Sequence, residues 1–146
     1  MDEQKANPEL RTAWRENWLS SIAELADLEL QRKAWLDPKN HNPHWSYGEF
    51  MCCYFDDLTL NAGYNYAVRT GLVTTQEAEA VRHMHSVLDA YQEPGKDVYD
   101  YEGILADPAW IRVVSVVQAA RTELAAILTD PGEIRVLFQN PLSDAC

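Results

Sequence analysis

Apolar residues recur at steps of three and four along most of the chain, the spacing that gathers them on one face of an α-helix. Leu10, Trp14, Trp18, Ile22, Leu25 and Leu28 form the first stripe, opened by Asn7-Pro8-Glu9 and stopped by Asp37-Pro38. Asn caps the free N–H groups of a first turn, Pro fits the first helical position, and Glu suits the positive end of the helix dipole. One long helix over 7–37 is predicted. A second, over 46–70, starts at a capping box of Ser46 and Glu49, with Trp45 and Phe50 as a hydrophobic staple. Its stripe is Met51, Phe55, Leu58, Ala62 and Tyr66, and Asn61-Ala62-Gly63 weakens its middle.

Thr74 and Glu77 form another capping box and open a third helix over 74–92, with Val81, Leu88 and Tyr91 on its apolar face. Asp107-Pro108 opens a fourth over 107–129, which ends at Asp130-Pro131-Gly132. The connection 93–107 is acidic and holds one helical turn around Tyr101–Leu105. The run Ile134 to Phe138 has strand-like composition but no partner strand, so 132–146 reads as an extended arm on the helices. The fold class that follows is all-α: a single-domain antiparallel bundle of four main helices, with a long first helix and an extended C-terminal arm.

Charge changes the picture most. The 146 residues carry 23 acids against 12 Lys plus Arg, a net charge of −11. Residues 74–107 alone hold eight acids and two bases. That balance repels phosphate backbones and anionic membranes, so neither direct nucleic-acid binding nor membrane binding is expected, and it attracts a basic protein. Cys52, Cys53 and Cys146 are too few and too poorly spaced for a disulfide framework. With no apolar leader at Met1-Asp2-Glu3-Gln4 and no membrane-length apolar run, the expectation is a cytoplasmic protein.

The nearest approach to a metal set is His41, His44, Glu49 and Asp56. The two histidines lie in a loop rich in Asn and Pro and Glu49 is already explained as a cap, so the favoured reading is a polar loop entering a helix, without metal or cofactor. Glu49, Cys53 and Asp56 share a helix face, where carboxylates would raise the thiol and disable it as a nucleophile. His85 and Asp89, four apart, read as a surface pair. No phosphate loop, nucleophile elbow or paired Cys-x-x-Cys motif is present, so nothing favours an enzyme.

Tyr91, Glu93, Asp97, Tyr99, Asp100, Tyr101 and Glu102 combine rigid aromatic contact area with negative charge, the composition of a surface that captures a basic protein. In this general character the chain resembles the small acidic helical immunity proteins that bacteria make against nuclease toxins. The resemblance implies an inhibitor that neutralises a basic toxin domain by binding it. Two other functions remain open: a small metal-dependent or acid–base enzyme using His41, His44, Glu49 and Asp56, and an acidic decoy that imitates DNA. A homo-oligomer is compatible with each.

Overall fold

The computed structural model describes residues 5–39 and 44–139, and every regular element among them is helical. Asn7 caps α1 (Pro8–Leu25) by accepting the Leu10 N–H at 2.8 Å. The single helix expected over 7–37 is broken after Ala26, and α2 (Leu28–Trp35) begins anew. The cause is local competition for backbone groups. The Asp27 carboxylate accepts the Leu30 N–H at 2.9 Å, and the Gln31 amide donates to the carbonyls of Glu24 and Leu25. Gln118 then takes the Ala26 carbonyl at 2.9 Å. The apolar stripe runs through the break undisturbed, which is why the pattern hid it.

The span 46–70 is divided as well, into α3 (Tyr47–Phe55) and α4 (Asn65–Arg69). Between them Thr59 (φ 58°) and Gly63 (φ 96°) adopt left-handed backbone that no helix continues through. The turn buries Leu58 and Leu60. Trp45 stands edge-on to Phe50, and Ser46 accepts the Glu49 N–H at 3.1 Å. The Ser46 N–H donates to the His44 carbonyl instead of to Glu49, so that capping box closes on one side only. The box of Thr74 and Glu77 closes on both. It opens α5 (Thr75–Ala80), which bends at Val81 into α6 (Arg82–Ala90).

A 3-10 turn at Pro94–Lys96 and the short α7 (Tyr101–Ala106) lead into α8 (Pro108–Ile127), capped by Asp107. The extended arm expected over 132–146 is corrected within the described residues: α9 spans Pro131–Leu137. Asp130-Pro131 acts as a start and not as part of a stop. Asp130 accepts the Gly132 N–H at 2.8 Å, Pro131 takes the first turn, and Leu137 is fully buried. Residues 140–146 of the expected arm, with Cys146, lie outside the described residues.

The described residues thus form nine α-helices where four were predicted. Two of them organise the rest: α1 lies against α2, α3, α8 and α9, and α8 lies against α5, α6, α7 and α9. Trp18, Phe50, Tyr54 and Trp110 fill the centre. Of the first predicted stripe, Trp18, Ile22 and Leu25 are buried, Trp14 is half-buried with its N–H on the Leu58 carbonyl, and Leu10 is exposed.

Candidate functional site

Helix α6 ends at Ala90, and the chain then turns twice in the left-handed region, at Gly95 (φ 64°) and Lys96 (φ 59°). These turns throw residues 97–100 outward. The segment is anchored at both ends. Tyr91 donates to Asp107 at 2.9 Å and its ring lies tilted against Trp110, while Tyr47 donates to Glu93 at 2.5 Å. Burial and these carboxylates push both phenols above the ordinary range, so they stay neutral donors at any physiological pH. Tyr101 tilts against Trp35. Asp100 caps α7 by accepting the Gly103 N–H at 3.1 Å, and a Cβ on Gly103 would stand 2.3 Å from that carboxylate.

Of the seven residues singled out in sequence, the structure therefore splits two groups. Tyr91, Glu93 and Tyr101 face inward or clamp the segment to the body. Asp97, Tyr99, Asp100 and Glu102 face solvent, with Tyr99 79% exposed beside the exposed Val98. An exposed tyrosine ring on an acidic segment held at both ends is the most prominent surface feature of this region.

Of the set His41, His44, Glu49 and Asp56, the described members His44, Glu49 and Asp56 are not assembled around one point. His41 lies outside the described residues. Asp56 accepts from Asn61 at 3.0 Å, Glu49 is exposed, and His44 turns to other partners. Among the described residues no three His, Cys, Asp or Glu side chains are grouped to hold a metal ion. His85 also turns inward: Tyr54 meets its Nδ1 at 2.9 Å, and burial holds the imidazole below its usual range against the opposing charge of Asp89. It ends a buried chain that runs from the Trp18 N–H through the hydroxyls of Tyr64 and Tyr54.

Compared with known proteins, the chain matches no family model, no curated protein and no solved structure. Its functional reading therefore rests on its own residues.

Two constellations went unread in the sequence. Arg15, on α1, is 2% exposed and binds Glu77 through both guanidinium ends at 2.8 and 2.7 Å, Glu133 at 2.6 Å, and the Leu72 carbonyl at 3.0 Å. Burial alone would lower the guanidinium and raise Glu77, but the bidentate pairing wins in both directions. This knot ties α1 to α5 and α9 at the floor of a cleft of about 690 Å³. Arg15 stands outside the apolar stripe of α1, and its two acids lie 62 and 118 residues away, so no local pattern marks it.

The second constellation joins Glu24, His44 and Cys53. His44 Nε2 stands 2.5 Å from a Glu24 carboxylate oxygen, and its Nδ1 stands 3.7 Å from the Cys53 sulfur. Cys53 and Glu24 push the imidazole up to about 10, against the opposing effect of burial. The group borders a small cleft of about 250 Å³ that also meets Asn17, Ser20, Ser21 and Asp57. The carboxylate neighbours expected for Cys53 belong to Cys52, whose thiol is raised by burial and by Asp56.

Proposed function

We propose that the protein is a binding inhibitor that captures a basic protein domain on the outer face of residues 97–102, most simply an immunity protein facing a basic toxin. The observation that carries the reading is the exposed Tyr99 among Asp97, Asp100 and Glu102 on a loop fixed at both ends. A pinned loop loses little freedom on binding, so its contacts are spent on the partner and not on ordering itself. The net charge of −11 supplies long-range attraction, and the aromatic ring supplies a short-range anchor. Tyr91, Glu93 and Tyr101 serve this surface from beneath by holding the loop in place. No helix among the described residues is long and apolar enough to cross a membrane.

The reading separates the two rates of association. The Debye length shrinks from about 30 Å at 0.01 M salt to about 10 Å at 0.1 M, so the on-rate should fall steeply across that range. Asp97→Lys with Asp100→Asn should lower the on-rate and flatten its salt dependence. Tyr99→Ala should raise the off-rate, by roughly one to three powers of ten for a central anchor. The measurement is surface plasmon resonance against the basic partner recovered from the native host. Unchanged rates in all three substitutions would remove residues 97–102 from the interface.

A further inference from the structure

Cys53 lies at the end of the second turn of α3, on the side that meets α1, and His44 closes over it from the segment that precedes α3. The imidazole is held from behind by Glu24, whose side chain is 4% exposed, while the His44 side chain keeps 25% of its surface open. The order carboxylate, imidazole, thiol is the arrangement that turns a thiol into a nucleophile: the carboxylate fixes the ring and favours its charged form, and the charged ring favours the thiolate. The cleft of about 250 Å³ gives a small molecule access to it.

We propose that Cys53, set against the His44 imidazole, is a nucleophile that reacts with small neutral hydroperoxides and is converted to a sulfenic acid. Three observations choose this electrophile. The cleft is small, and its charged walls, Glu24 and Asp57, repel anions. An acyl substrate needs two free backbone N–H groups to hold an oxyanion. Asn17, Ser20, Ser21, Glu24 and Cys53 all lie beyond the first four residues of their helices, so their N–H groups are already spent on helix bonds. A peroxide asks only for a thiolate and a nearby proton. The sulfur attacks one peroxide oxygen, an S–O bond forms, and the O–O bond breaks. The leaving hydroxide, or alkoxide from an alkyl hydroperoxide, takes the proton from His44 Nδ1 and departs as water or the alcohol. The sulfur gives up two electrons and the peroxide accepts them. The product places a neutral imidazole against the buried Glu24, so oxidation also weakens the tie between the loop and α1.

The test uses the full chain with hydrogen peroxide, a cyclic dione that captures sulfenic acid, and peptide fragmentation to separate Cys53 from its neighbour Cys52. Cys53 should be captured about tenfold faster than Cys52 at neutral pH, and His44→Asn should erase that difference. As a check that needs no variant, the neutral reagent iodoacetamide should alkylate Cys53 of the parent well ahead of Cys52, whose thiol is raised by burial and by Asp56, throughout the neutral range. Equal capture of the two cysteines, or alkylation of Cys53 no faster than that of Cys52, would overturn the assignment.

Discussion

Trp18 is fully buried, and its indole N–H begins the hydrogen-bonded chain that ends at His85. Replacing it with Ala removes the one fully buried tryptophan of the first stripe and takes a donor from the Tyr64 hydroxyl. The expected cost is roughly 3–5 kcal/mol, measured by urea unfolding. A loss well under 1 kcal/mol would mean that the site collapses around the missing ring. Its neighbours on the stripe behave differently because position along α1 matters: Leu10 lies in the first turn and is 56% exposed, though its periodicity equals that of Trp18. Arg15 is the opposite case, a charge inside the body that periodicity would place outside. Residue type predicted both poorly, because burial depends on which distant segment covers each position.

Among the elements, α9 separates a packed helix from a loose arm most clearly. Leu137 is fully buried, and Glu133 reaches back to the Arg15 knot. Leu137→Ala should cost roughly 2–5 kcal/mol by the same unfolding measurement, whereas an arm lying loosely on the surface would yield only a few tenths. The sequence held the start signal of α9 in plain view. Asp130-Pro131 repeats the cap-and-proline form of Asn7-Pro8 and Asp107-Pro108. The adjoining Gly132, which resembles a stop, and the β-branched Ile134 and Val136 outweighed it. The breaks at Asp27 and between α3 and α4 were masked in a similar way, since a helix and a helix–turn–helix can carry the same apolar stripe.

For the whole molecule, three titrating groups set a stability profile with a defined shape. His85 is held below 6.5 in the fold, so the unfolded chain takes up its proton first and stability falls as pH drops below about 6.5. Glu77 is held below 4.5, and its share, present above that value, is lost on further acidification. His44 acts in the other direction. Raised from 6.5 to about 10, it stabilises fully below 6.5 and loses that share as pH rises toward 10. Stability should therefore peak near pH 6.5, as read from unfolding midpoints at fixed salt. In His44→Gln the decline between pH 7 and 9 should flatten, and a decline left unchanged would show that His44 is not held as an imidazolium.

The sequence by itself determined the helical class, the caps at Asn7, Ser46, Thr74 and Asp107, the burial of Trp18, Ile22 and Leu25, and the net acidity. These are local or additive properties: a cap needs three residues, a stripe needs one period, and a net charge needs only a count. Tertiary structure alone decided which tyrosines of 91–101 face outward, since Tyr91 and Tyr101 are claimed by Trp110 and Trp35 and Tyr99 is not. It also decided that Arg15 meets Glu77 and Glu133, and that His44 meets Glu24 and Cys53. Each of those meetings joins residues from separate elements, and their geometry exists only once α1 has been covered by α3, α8 and α9.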